Sequence, residues 1–397
     1  MNGRWQILAL LFAVRLSMAF QFEAVAALPS AYVERFAVDL ADLGILIGLY
    51  LSPGILLAIP GAGIGRRFGD KRAVLAGLAL MATGGLVMVL SPGWSGQFAG
   101  RVIAGTGGIL LNVLMTKMVA DWFDRRELAT AMAIFVNSWP AGIALALLVL
   151  PRIEATAGLD GAQWFAVAFA VAGFLALLAG YRSPGTSRSS AVVPPASAAS
   201  SGSVHGWPAG ATLAAVVAAA TIWGLFNAAL AMIFSFGPAL LAEQGMAPAR
   251  SSSMTSVTLW VVVVSVPLGG LIADRLQRPN AVMIASFLLF AAGLLEAGRS
   301  EPSLLVFMIL GFVAGLPAGP IMSLPAKVLS AGDRALGMGV FFTVFYISAF
   351  IAPIVAGGIA NMAGTARATF DLGAIMLIAC LPVLALFHRL ARQQQAR

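Results

Sequence analysis

Twelve runs of about twenty apolar residues, joined by short charged turns, leave this chain almost no way to fold in water. They cover residues 5–28, 43–64, 72–91, 97–119, 128–150, 163–181, 211–236, 251–273, 280–298, 304–325, 335–360 and 370–388. Each is long enough to cross a hydrocarbon layer of about 30 Å as a helix. Lipid offers backbone groups no partner, so spanning segments must be helices or a closed barrel. None of the runs shows the strict alternation of a barrel strand, so the expected fold is an all-α membrane protein with twelve transmembrane helices, spans 1 to 12. A hydrophobic content of 60%, a charged content of 10% and a mean hydropathy of +0.94 agree. Arg15 and Glu23 are poor members of a signal peptide, so the first run reads as an uncleaved span.

The formal charge of +8 does not mark a nucleic-acid surface, because the basic residues fall in short pieces between spans. With twelve spans both termini share one side. The termini, the even-to-odd turns and the central segment carry 17 of the 24 Lys and Arg, and the opposite loops carry five: Arg35, Arg152, Arg250, Arg299 and Arg367. The positive-inside rule then places both termini in the cytoplasm. Short loops and the absence of an Asn-x-Ser/Thr acceptor fit a bacterial inner membrane. Cys380 is the only cysteine, and His205 and His388 are far apart, so neither a disulfide nor a protein-built metal centre is expected. No cofactor is implied. No phosphate-binding Gly-x-x-x-x-Gly-Lys-Ser/Thr motif occurs, so any transport runs on a gradient.

A Pro, Gly and Ser-rich stretch at 183–208 reads as a flexible cytoplasmic linker between residues 1–182 and 209–397. The two parts repeat each other. Gly65-Arg-Arg-Phe-Gly-Asp-Lys-Arg72 follows span 2, and Gly270-Leu-Ile-Ala-Asp-Arg-Leu-Gln-Arg278 ends span 8. Gly105 and Lys117 of span 4 recur as Gly315 and Lys327 of span 10, an offset of 210, and Pro29 recurs as Pro238 at 209. The expectation is two pseudo-symmetric six-helix bundles, a plan common in secondary transporters, with the binding site where the repeats meet.

Gly270, Asp274 and Arg275 match the Gly-x-x-x-Asp-Arg-x-Gly-x-Arg signature of the major facilitator superfamily, with Gln277 replacing the second glycine and Arg278 standing one place before the final arginine. The chain resembles that superfamily over its whole length. The copy after span 2 keeps Arg67, Phe68, Gly69, Lys71 and Arg72 but has Arg66 where an acid is expected, and Arg101-x-x-x-Gly105 in span 4 is similar to a further superfamily pattern. The resemblance implies alternating access around a cavity lined by spans 1, 4, 7 and 10. It also implies gating roles for Gly69, Arg72, Asp274, Arg275 and Arg278.

Charge in hydrocarbon costs about 2.5–3.5 kcal/mol on insertion scales, so retained charges mark a cavity or a partner. Arg15 stands near the middle of span 1 and suits a carboxylate or other small anion; its alternative is a cation held by backbone carbonyls or an acid. Glu23 lies about 12 Å further along and about 80° round the helix, so it is not Arg15's simple partner. Depth permits a pair between Glu23 and Arg101, either a proton-coupling site or a static ion pair. Lys117 and Lys327 are expected to snorkel and cap helix ends. Tyr50, Asn112, Trp139, Trp223, Asn227 and Tyr346 are the candidate substrate contacts beside Arg15, with helix packing as the alternative for each. Asn137-Ser-Trp-Pro-Ala-Gly142 combines a proline break with glycine, a pattern that exposes carbonyls.

Two functions compete. One is proton-coupled transport of a small organic or inorganic anion; Ala13-Val-Arg15 weakly resembles a segment of cyanate-permease-like members. The other is efflux of an amphipathic compound or drug by proton antiport, favoured by Arg101 and the aromatic second half. The partners expected are a small-molecule substrate, protons and the bilayer, with the chain acting as a monomer and not as an enzyme.

Overall fold

A computed structural model describes residues 3–58, 67–123, 125–182, 210–330 and 333–395. The expected linker at 183–208, the tail of span 2 at 59–64, and Gly65, Arg66, Arg188, His205 and Arg397 lie outside the described residues. Among those described, every regular element is a helix, and eleven helices are long and apolar enough to cross a membrane. Counting eleven and not twelve has a local cause. Ser138–Gly180 is one 43-residue hydrogen-bonded element, interrupted at Gly158, where φ is 69° and ψ −177°. An uninterrupted helix of that length would measure about 65 Å, roughly twice the membrane core. Splitting it at Gly158 gives spans 5 and 6.

Prolines set most of the other departures from the expected runs. Span 1 ends at Glu23, five residues early, and Pro29 then opens a short unforeseen helix, Pro29–Phe36. Span 2 is two pieces, Leu40–Leu49 and Pro53–Leu57. Pro53 has no N–H for the Leu49 carbonyl, which takes the Ser52 hydroxyl at 2.8 Å instead. Span 10 breaks in the same manner into Leu304–Gly315, Ala318–Met322 and a 3₁₀ turn, Pro325–Lys327. Span 7, by contrast, runs as Gly210–Glu243 straight through Pro238, which was expected at its end. Spans 3, 4, 8, 9, 11 and 12 are Asp70–Leu90, Trp94–Trp122, Pro248–Leu276, Pro279–Arg299, Arg334–Ala363 and Arg367–Gln395.

Buried side chains fall into two main clusters. One draws on residues 7–181, joined by Phe234, Leu259 and Tyr346, and the other on residues 215–387. Two seams connect the halves. Span 5 meets span 8, where the Ser256 hydroxyl donates to the Ala144 carbonyl at 2.8 Å and the Asn137 amide to Val263 O at 3.1 Å. Span 2 meets span 11 backbone to backbone, because a Cβ on Gly44, Gly48 or Gly357 would overlap the carbonyl of Pro353, Phe350 or Leu40. Both seams run from the end of the molecule where span 1 finishes down to its middle.

Gly44→Leu should therefore force spans 2 and 11 apart. A cysteine replacing buried Pro353, whose carbonyl Gly44 meets, should react with a thiol reagent in the Gly44→Leu protein and stay protected when Gly44 is intact. The native Cys380 is fully buried and gives no background. Equal labelling of the two would show that this seam does not hold the halves together.

Candidate functional site

Pro140 creates the site by what it lacks. It has no N–H for the carbonyl of Val136 four residues earlier, and the helix breaks at Asn137, between Arg125–Val136 and Ser138–Gly180. The freed carbonyls are taken up by Arg15. Its Nη1 donates to Phe135 O at 3.1 Å, Val136 O at 3.0 Å and Ser138 Oγ at 3.2 Å, and its guanidinium lies 4.9 Å from the Phe135 ring centre. Its Nε donates to Asn112 Oδ1 at 2.9 Å, and the Asn112 amide in turn donates to the Tyr346 hydroxyl at 3.4 Å. Spans 1, 4, 5 and 11 thus converge on one guanidinium. Gly54 of span 2 packs against the face of the Tyr346 ring and leaves it room. These bonds engage Nε and Nη1 and leave Nη2 without a hydrogen-bond partner among the described residues. Among the described residues no carboxylate stands within 4 Å of Arg15, so the charge is hydrogen-bonded but not neutralised.

Two turns further along span 1 is a second buried tier. At the helix end the Phe22 carbonyl has no backbone partner and the Gln21 carbonyl only a turn bond from the Ala24 N–H at 3.3 Å; Arg101 caps Gln21 O at 3.0 Å and Phe22 O at 2.7 Å while its Nε reaches Leu46 O at 3.1 Å. Tyr50 lies under the guanidinium at 4.8 Å. The expected pairing of Glu23 with Arg101 does not form as an ion pair within 4 Å. Arg101 is spent on carbonyls, and both carboxylate oxygens of the fully buried Glu23 lack a hydrogen-bond partner. Tyr32 and the Gln163 to Gln97 amide pair complete this tier, with the Gln163 amide donating to the Tyr32 hydroxyl at 2.9 Å.

The remaining candidates distribute unevenly. Asn112 joins Arg15 directly and Tyr346 joins it through Asn112, whereas Tyr50 belongs to the Arg101 tier. Trp139 follows Ser138 and stacks on Phe22 at 5.1 Å. Trp223 meets Phe345 at 6.3 Å, and its indole N–H has no acceptor. Asn227 folds back on the Trp223 carbonyl of its own helix at 2.8 Å. Ser138, Phe22 and the Phe135 and Val136 carbonyls were not foreseen as contacts, though the Pro140 break was their signal.

The candidate gating residues lie at the other end and are not brought together. Gly69 takes a φ of 86°, which explains a glycine there, and Arg72, Asp274, Arg275 and Arg278 are exposed with no ion pair within 4 Å among the described residues. Lys117 does not cap a helix as expected; it pairs with Asp70 and, at 3.2 Å, with Asp121. Lys327 has no such partner among the described residues, since Asn280 occupies the position 210 residues after Asp70.

A bundle of apolar helices around a buried, un-neutralised cation defines a membrane transporter of small molecules. The model of the Major Facilitator Superfamily matches residues 8–236 and 212–397, and the chain belongs to that family. It is a secondary transporter, not an enzyme, and a multi-pass membrane protein whose bacterial relatives place it in the inner membrane. The 3-(3-hydroxy-phenyl)propionate transporter of Escherichia coli (strain K12) is 27% identical over 98% of this chain and 95% of its own length. The POT family transporter PepTSo aligns at a TM-score of 0.73 and 12% identity, covering 99% of each chain. A bacterial homologue of the human lysosomal transporter Spinster, in an inward-facing and occupied conformation, aligns at 0.73 and 13%, over 100% of this chain and 97% of that one.

Arg101→Lys cannot reach all three carbonyls and orphans at least one, at about 1–3 kcal/mol. The thermal midpoint in detergent should fall clearly below that of the wild type, while Arg72→Lys, at an exposed position, should leave it unchanged. An unshifted Arg101→Lys midpoint would remove its capping role.

Proposed function

We propose that this protein carries a small organic anion, an aromatic carboxylate, by proton-coupled alternating access between two six-helix bundles, residues 1–182 and 209–397, with both termini cytoplasmic. The observation that carries this reading is Arg15, a buried cation with no protein acid within 4 Å and a nitrogen left over. A bound carboxylate supplies the missing charge and takes Nη2, and Asn112 and Tyr346 orient it. Trp139 on one side and the uncharged pair Trp223 and Phe345 on the other offer flat faces for an aromatic ring, and the unpartnered Trp223 N–H suits a polar substituent on that ring. The similarity to a 3-(3-hydroxy-phenyl)propionate transporter supports the same substrate class.

Glu23 is the proposed proton carrier. Buried and unbonded, it lies within a turn of Ala27 and Leu28, which line an outer cavity of about 180 Å³ that also holds Glu34 and Glu154. The span 2 to 11 and span 5 to 8 seams close this outer end, so the arrangement corresponds to the inward-facing half of the cycle. Efflux of an amphipathic compound by proton antiport is the second reading, favoured by the uncharged aromatic wall of the second half.

Uptake of labelled 3-phenylpropionate into proteoliposomes with an alkaline interior tests the proposal. A lost charge-assisted contact of about 1.5–3 kcal/mol lowers uptake by about 10- to 100-fold. Arg15→Ala should show that loss, and Arg15→Lys, keeping charge without the fork, an intermediate one. Wild-type uptake indifferent to the pH gradient, or an Arg15→Ala protein as active as wild type, would overturn it.

A further inference from the structure

Phe22 occupies a position that the transport reading does not use. It lies seven residues beyond Arg15, two helical turns or about 10 Å, and so on nearly the same face of span 1. Its ring is 3% exposed and meets Trp139 at 5.1 Å, Tyr50 at 5.6 Å and Phe234 of the second half at 6.1 Å. The Arg101 guanidinium stands 5.9 Å from the same ring and holds the Phe22 carbonyl at 2.7 Å. One residue therefore touches the wall next to the Arg15 site, the opposite half of the molecule, and the clamp beside Glu23.

We propose that Phe22 is the positioning residue that couples occupancy at Arg15 to proton movement at Glu23, and that its ring cluster with Trp139 and Phe234 is the seal between the two tiers. An aromatic ring bound against Trp139 bears on Phe22, and Phe22 cannot shift without moving the carbonyls that Arg101 holds or breaking contact with Phe234. The groups facing this end of span 1 are Arg101 from span 4, Tyr50 from span 2 and Tyr32 from the short helix, with Gln97 and Gln163 behind Tyr32. Tyr50 reaches back along span 1, its hydroxyl donating to Met18 O at 3.4 Å, but none of these groups bonds to Arg15, and the Phe22 cluster packs Trp139, Tyr50 and Phe234 between the tiers. With the seal intact, a proton on Glu23 reaches the far side only when the halves rearrange around substrate. The inference rests on the proton-coupled anion reading above.

The test uses the full chain in proteoliposomes and three readouts: gradient-driven accumulation of 3-phenylpropionate, its one-for-one exchange at saturation, and proton flux without substrate, followed by a trapped pH dye. Phe22→Ala should lower accumulation relative to exchange by about tenfold, within the range of ordinary coupling between sites. It should also open a proton flux without substrate that wild type lacks. Phe22→Leu, which refills part of the volume without the ring contacts, should leave a smaller leak than Phe22→Ala, and Phe234→Leu should give a comparable small leak from the other half. If Phe22→Ala does not fold, the Leu variants carry the same comparison against wild type. Accumulation and exchange falling in equal proportion, with no leak, would make Phe22 a packing residue and overturn the proposal. A wild type that exchanges the anion but never accumulates it would instead overturn the coupled-transport reading, and this inference with it.

Discussion

An arginine in hydrocarbon keeps its charge, and everything around it must be arranged to satisfy five N–H donors that have no water. Two such arginines organise this molecule. Arg15 gathers the broken middle of span 5, the amide of span 4 and, through that amide, a hydroxyl on span 11. Arg101 ties the end of span 1 to span 2. Both depend on backbone carbonyls that a regular helix would keep for itself, so the breaks at Asn137 and after Glu23 are what make the buried charges tolerable. Removing the break and keeping the arginine would strand a charge; removing the arginine and keeping the break would strand carbonyls.

The layout of spans was legible in the sequence because hydrocarbon imposes a length and a polarity that any apolar run reveals. Arg15, Asn112 and Tyr346 were legible as separate oddities for the same reason. Their meeting was not, since residues 15, 112 and 346 are joined only by the fold. The Glu23 to Arg101 pairing came from depth along helices, which says nothing of azimuth or of competing acceptors. Here the Gln21 and Phe22 carbonyls take the guanidinium. The short helix Pro29–Phe36 was hidden because a half-apolar octet after a span reads as a turn. Asp70 was missed because the loop motif places its acid four residues earlier, and only the position of Lys117 in space shows the substitute.

The first and second parts of the chain divide the chemistry. The first holds the buried charges, with polar amides packed behind them. The second presents aromatic and small residues: Gly311 and Gly315 let span 10 approach Thr258 and Ser265 of span 8. Its ionic latch is also absent, for Asn280 replaces the acid that steadies Lys117 in the first half. Between the two parts, the span 2 to 11 seam brings backbone against backbone at Gly44, Gly48 and Gly357.

Five of the acceptors that hold the two arginines are main-chain oxygens, at Gln21, Phe22, Leu46, Phe135 and Val136. Such ligands survive almost any change of side chain. Over evolutionary time those five positions can drift without loosening the anchor, while the arginines they hold cannot. A search for co-varying contacts would therefore pair Arg15 with Asn112 and Ser138 and leave the anchor points of Arg101 blank.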